Sequence, residues 1–288
     1  MPQPMRSMLY IPGSRPRALE KARSLPVDAI IFDLEDAVAI TEKEAARDTL
    51  SEALNAGGYG SRLLLVRINA IGTAWGAGDL AAMAKLAPQA ILLPKVERAA
   101  DIEALAAMLD AHSNCIDTKI WAMMESPLGI LNALEIAQAP RMAGFVLGTN
   151  DLAKDLGTTG GKDRAPLWTA LQTCVLAARA AGIACIDGVY NAFKDTDGLA
   201  QECAQGRAFG MDGKTLIHPA QIEPCNLAFS PDADEIELAR RQIAAFEEAE
   251  AAGQGVAVVD GKIVENLHVE TARKTLAIAA TISAQAAE

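Results

Sequence analysis

The chain has 288 residues, 51% of them hydrophobic, and 37 acidic against 26 basic side chains, for a net charge of −11. That length suits one large domain with an appendage, and the apolar share is enough for a sizeable core. The negative charge argues against nucleic acid and anionic membrane as partners, and no uninterrupted apolar stretch reaches the roughly 18 residues that a membrane span needs.

Short apolar runs recur along the chain, at residues 8–11, 29–32, 63–68, 90–93, 120–124, 145–147, 183–186 and 213–217. They are continuous rather than alternating, as strands covered on both faces are. Between them lie Ala- and Leu-rich stretches with charges at helical spacing, such as residues 41–55, 99–111 and 166–181. Thr41-Glu42-Lys43-Glu44 predicts a capping box for the first of these. Pro127 and Pro166 stand where a first helical turn accepts proline. Eight β–α units predict an α/β fold, a (β/α)8 TIM barrel over residues 1–230, in preference to an open doubly wound sheet. After the eighth run the pattern changes. Residues 234–252 read as a long charged amphipathic helix, 253–261 as a turn-like Gly/Val stretch and 269–287 as a final Ala-rich helix. Residues 231–288 are therefore expected to form a C-terminal helical extension that covers the barrel mouth or contacts a neighbouring subunit. The start of the chain, Met1 to Arg6, carries no apolar signal core, and Cys115, Cys174, Cys185, Cys203 and Cys225 form no C-x-x-C pair. Free thiols in a reducing cytoplasm are expected.

A barrel places its active site at the C-terminal strand ends. Here those ends carry Tyr10, then Asp33-Leu34-Glu35-Asp36, Arg67, Lys95, Glu125, Asn150-Asp151, Asp187 and His218. So many charges at one end of one sheet predict a site. Glu125 and Asp151 are the expected metal ligands. Two carboxylates plus waters and substrate oxygens suit Mg²⁺, with Mn²⁺ as its substitute, and no His/Cys cluster suggests zinc. The competing reading is a helix-capping Glu-Ser-Pro and an Asx turn at Asn150-Asp151. Arg67 has the planar fork to hold a substrate carboxylate; the alternative, a structural ion pair with Glu35 or Asp36, is compatible with it, since such a pair would orient the guanidinium. One acid of that second-strand cluster, acting through water, is a candidate base. Arg15, Arg17, Lys21 and Arg23 form a basic run that suits a polyphosphate such as that of coenzyme A, or a solvated helix face. Lys95 reads as an ion-pair partner rather than a Schiff-base lysine. Gly213-Lys214-Thr215 is not a phosphate-binding loop, because Ala208 stands where its first glycine belongs.

The motifs Leu9-Tyr10-Ile11-Pro12-Gly13, Asp33-Leu34-Glu35-Asp36-Ala37-Val38, Val66-Arg67-Ile68-Asn69, Leu93-Pro94-Lys95-Val96, Met124-Glu125-Ser126, Gly148-Thr149-Asn150-Asp151-Leu152, Gly213-Lys214 and Ile217-His218-Pro219 together resemble one family. It is the citrate lyase β-subunit-like branch of the HpcH/HpaI aldolases, which includes malyl-CoA and citramalyl-CoA lyases. The resemblance covers nearly the whole chain. It implies a barrel assembled as homotrimers or hexamers, Mg²⁺ at Glu125 and Asp151, and Arg67 on the oxo-acid. It implies Tyr10, Arg17 and Lys21 around the thioester substrate, and Ile217 and His218 along coenzyme A; Asn150, beside Asp151, is a further substrate-binding candidate. In relatives with a C-terminal extension an Asp completes a neighbour's site, and here Glu265 stands at the matching position. The activity implied is Mg²⁺-dependent, reversible C–C cleavage of a 3-hydroxy-acyl-CoA to acetyl-CoA and a 2-oxo acid such as pyruvate or glyoxylate. Its rivals are malyl-CoA thioester hydrolysis on the same scaffold and a non-catalytic CoA-binding subunit of a larger complex.

Overall fold

A computed structural model describes residues 3–159, 161 and 163–285. Met1 and Pro2, and the end expected for the last helix at Ala287, lie outside them. The described residues form two compact units, Met5–Ala228 and a second that runs on from Phe229.

The first unit is a closed barrel of eight parallel strands, in the order of the sequence. Its strands are β1 (Ser7–Pro12), β2 (Ala29–Asp33), β3 (Leu63–Arg67), β4 (Ala90–Leu93), β5 (Lys119–Met124), β6 (Met142–Leu147), β7 (Ala184–Asp187) and β8 (Gly213–Leu216). Each is followed by helix: α1 (Pro16–Ala22), α2 (Lys43–Ala56), α3 (Gly76–Ala84), α4 (Ala99–Asp110), α5 (Pro127–Leu131) and α6 (Ala133–Ala137), α7 (Thr149–Leu156) and α8 (Trp168–Ala181), α9 (Thr196–Ala208) and α10 (Ile222–Ala228). The eight apolar runs of the sequence become the eight strands because helices cover one face and the barrel interior fills the other. Met8, Ile31, Leu65, Leu92, Trp121, Met123, Val146 and Ile186 pack together in that interior. Trp121 fits because its neighbour across the β5–β6 pair is Gly144; a Cβ there would meet the indole ring at 2.3 Å.

One local expectation fails. No capping box forms at Thr41. Ile40–Glu42 is a single 3-10 turn, and Glu42 precedes α2 without a side-chain cap. The start of α2 is set instead by Lys43, which turns inward. Its Nζ donates to the carbonyls of Leu34 and Glu35, at 3.1 and 2.8 Å, and to Asn69 Oδ1 at 2.7 Å. This buried lysine pins the loop that carries the second-strand acids.

The second unit comprises α11 (Ala233–Ala251), a hairpin of β9 (Ala257–Val259) with β10 (Lys262–Val264), and α12 (Asn266–Gln285). Asp232 and Glu235 cap α11 reciprocally. Ala249, Val259, Val264 and Val269 form a small core of its own. The stretch expected to be turn-like therefore contains a strand. Val258 and Val259 with Ile263 and Val264 supply the β-branched residues, and Asp260 and Gly261 take the positive φ of the turn. Among the described residues no helix is long and apolar enough to cross a membrane.

Candidate active site

A cavity of about 380 Å³ opens at the C-terminal strand ends, lined among others by Tyr10, Asp33, Asp36, Arg67, Met123, Glu125, Asn150, Asp151, Asn191 and Ile217. A smaller one of about 130 Å³ shares Tyr10 and Ile217 with it and reaches Lys21 on α1.

One wall is built on Arg67, the last residue of β3. The register places it beside Asp33, the last residue of β2. Arg67 Nε donates to Asp33 Oδ1 at 2.7 Å and Nη2 to Oδ2 at 2.5 Å. Asp33 also accepts the backbone N–H groups of Glu35 and Ala37, so it is the acid that shapes the loop. Both readings of Arg67 are thus compatible: its ion pair is real, its bidentate partner is Asp33, and two of its five N–H groups are engaged there. Nη1 lies 2.8 Å from Glu35 Oε2 and 3.6 Å from Asp36 Oδ2, and it donates to Met123 Sδ. Beneath the guanidinium, 4.8 Å away, is the Tyr10 ring. Burial alone would lower the Arg67 pKa, but Asp33 outweighs it and holds the side chain charged. Burial raises the Tyr10 pKa and keeps the phenol protonated.

Glu35 and Asp36 separate in role. Asp36 is 73% exposed and lines the cavity. Glu35 sits behind Arg67, where burial pushes its carboxyl up to about 7 despite the guanidinium. Its Oε2 is buried and accepts no directed hydrogen bond, although the Arg67 charge is close.

The opposite wall carries Glu125 and Asp151. Glu125 follows β5 directly and is 4% exposed. The helix cap next to it is Ser126, whose Oγ accepts from Gly129 N–H at 3.1 Å, so the glutamate is free to face the cavity. Gly148, at the end of β6, lets the two strand ends close: a Cβ there would stand 2.3 Å from Glu125 Cβ. Asp151 lies in the first turn of α7 rather than on the strand tip. Asn150 does not form the alternative turn; its side chain exchanges hydrogen bonds with Asn191 after β7. Between the carboxylates lies Lys95. Its Nζ is 3.6 Å from Glu125 Oε2 and in contact with Asp151 Oδ2. These residues fit a hard divalent cation. Two carboxylates converge on one point, that point holds a positive charge, and the cavity lining includes neither histidine nor cysteine. Among the described residues no three or more His, Cys, Asp or Glu side chains cluster into a closed metal cage, so an ion here would keep open positions.

The basic run divides. Arg15, Arg17 and Lys21 are exposed, and Lys21 reaches the smaller cavity. Arg23 belongs to the fold, paired with Glu20 and lying 5.5 Å from the centre of the Tyr59 ring. Ile217 lines both cavities. His218 stacks on Phe193 at 4.6 Å, and its Nδ1 accepts from Ala220 N–H. Glu265 is exposed in the second unit, between β10 and α12. Asp187, expected among the site residues, is fully buried and bound to Lys214 and Arg164. Sequence reasoning missed Asn191; Lys95, expected as an ion-pair partner, is one, and the structure shows its acids to be Glu125 and Asp151.

Residues 6–219 match the HpcH/HpaI aldolase/citrate lyase family. The chain belongs to that family of enzymes. It is 60% identical over 281 residues, 98% of this chain and 96% of the relative, to (3S)-malyl-CoA thioesterase of Cereibacter sphaeroides. It is 39% identical to citrate lyase subunit beta of Leuconostoc mesenteroides subsp. cremoris, covering 95% of this chain and 93% of that one. Its fold matches that of the protein CitE from Mycobacterium tuberculosis, solved in complex with magnesium, acetoacetate and coenzyme A, with a TM-score of 0.80, 32% identity, and coverage of 95% and 97%. The (β/α)8 barrel and the family resemblance are both borne out. The relative at 60% identity is a thioesterase, whereas the activity expected first was C–C cleavage.

Proposed function

We propose that this protein is a Mg²⁺-dependent hydrolase of a hydroxy-dicarboxylic acyl-CoA of the malyl-CoA type. The observation that carries this reading is the 60% identity, over 98% of the chain, with a malyl-CoA thioesterase. Glu125 and Asp151 are the proposed metal ligands, and the M. tuberculosis relative solved with magnesium, acetoacetate and coenzyme A supports both the metal and the coenzyme. When bound, the ion supplies a Lewis acid for the oxygens of the acyl group.

Arg67 receives the substrate carboxylate with the N–H groups that Asp33 leaves open. Tyr10, under the guanidinium, and Asn150, fixed by Asn191, border the acyl group. Lys21 and Arg17 meet the phosphates, with Ile217 and His218 along the rest of the coenzyme. Hydrolysis adds water to the thioester carbonyl, breaks the C–S bond and releases the coenzyme A thiol. Asp36, exposed on the cavity wall, and Glu265 are the proposed bases for that water. Glu35 holds Arg67 rather than touching substrate, so its role is positioning. Glu265 is proposed to reach a neighbouring subunit of a homotrimer or hexamer. In support, it is exposed, and so are the apolar residues Ile263 and Leu267 that flank it. All five cysteines are free and buried, which supports a reducing cytoplasm.

C–C cleavage is the second reading, favoured by the citrate lyase β subunit relatives. One assay separates the two. With malyl-CoA and Mg²⁺, the purified protein is expected to release free coenzyme A thiol and malate. Acetyl-CoA with glyoxylate, in place of free thiol, would overturn the hydrolase reading.

A further inference from the structure

Lys95 touches both acids of the metal wall. Its Nζ lies between Glu125 and Asp151, and its own backbone N–H donates to the other Glu125 oxygen, Oε1, at 2.7 Å. Its backbone is left-handed, with φ +56°, a conformation that non-glycine residues adopt rarely and that concentrates at functional sites. That turn after β4 aims main chain and side chain at the same carboxylate. The two ends of the contact differ in freedom. Glu125 is 4% exposed and backed by Gly148, whereas the Lys95 side chain is 47% exposed and can leave for solvent. A buried carboxylate without a counter-charge is costly, so a cation beside Glu125 stabilises its ionised form.

We propose that Lys95 is the built-in cation of this site: its ammonium neutralises Glu125 and Asp151 in the metal-free protein, and the divalent ion displaces it. The inference rests on Glu125 and Asp151 being the metal ligands. An ammonium and a divalent cation repel each other and compete for the same oxygens. The metal-free protein therefore keeps its site geometry, and metal affinity is lowered by the contacts that Lys95 must give up. Lys95 thereby sets the metal concentration at which the site fills.

The test measures metal binding directly, by the electron paramagnetic resonance signal of free Mn²⁺, on the full chain. Lys95→Met is expected to bind Mn²⁺ at least tenfold more tightly than wild type. Its metal-free form is expected to melt at a lower temperature than wild type, while the metal-saturated proteins melt alike. Lys95→Asn, whose side chain tolerates the left-handed backbone, should repeat the tighter binding, and Lys95→Arg should restore the wild-type affinity. Unchanged or weaker Mn²⁺ binding by both Lys95→Met and Lys95→Asn overturns the proposal. Binding that survives Glu125→Gln, or no binding by wild type and variants alike, would instead show that the metal assignment itself fails.

Discussion

Arg67 and Lys214 are both buried cations of one barrel, and only Arg67 faces a cavity. Lys214 is fully buried and ion-pairs with Asp187 at 3.1 Å and Glu202 at 2.6 Å; its Nζ also donates to the Gly188 carbonyl. Arg164 completes that group against the same two acids, at 2.8 and 3.5 Å. Two cations meet two acids, and none of the four lines either cavity. Burial would lower the Lys214 pKa and raise that of Asp187, but their mutual attraction outweighs it in both cases. Around Arg67 and Lys95 the balance is different: two cations face Asp33, Glu35, Asp36, Glu125 and Asp151. Matched and closed, a charge cluster holds the barrel together. Left acid-rich and open to a cavity, it invites a cation from outside.

The largest effects should come from the open cluster. Glu125→Gln or Asp151→Asn is expected to lower Mg²⁺-supported turnover at least a thousandfold, about 4 kcal/mol, with the melting temperature little changed. Full activity of either variant in the presence of a chelator would remove the metal from the site. In the closed cluster the loss should be one of stability. Lys214→Met leaves Asp187 buried without its lysine and is expected to cost about 3–5 kcal/mol in urea unfolding, with kcat per folded molecule retained. A drop in kcat at unchanged stability would merge the two clusters into one site.

Arg67→Lys keeps the charge and loses the fork on Asp33. A rate loss of at least a hundredfold is expected, about 2.7 kcal/mol; a rate within threefold of wild type would make Arg67 structural only. Glu35→Gln gives a smaller, pH-dependent effect. The folded carboxyl keeps its proton up to about pH 7, whereas an unfolded one loses it near 4.5. The folded state binds more protons in that window, so stability falls as pH rises through it, and the loss is complete above about 7. Glutamine mimics the protonated acid. With chelator present, the variant should be more stable than wild type at pH 8 and equal to it at pH 4. A constant difference across that range would show that Glu35 does not titrate there. The smallest effect belongs to the exposed charges. Arg17 and Lys21 replaced together by Gln should raise KM for the thioester several-fold, on the order of 1 kcal/mol, and weaken its salt dependence. An unchanged KM would leave them as a solvated helix face.

The barrel was legible because its signals are local. Strand positions follow from apolar runs that must be buried on both faces, and helix limits from proline, glycine and charge spacing. Glu125, Asp151 and Arg67 were legible as charges ending such runs. The hairpin at β9 and β10 was less so, since its three-residue strands are too short to show a period. The failed capping box at Thr41 has a non-local cause: Lys43 finds carbonyl partners across the loop after β2. The clamp of Arg67 by Asp33, the withdrawal of Glu35 behind it, and the seating of Lys95 between two acids from separate β–α units have no signal in the chain itself. Sequence alone determined which residues become strands and which charges arrive at their ends, because burial and periodicity act over a few neighbours. Only the tertiary structure decided which of those charges meet, which are sealed off with Lys214 and which face the cavity, because strand register and barrel closure set distances between residues tens of positions apart.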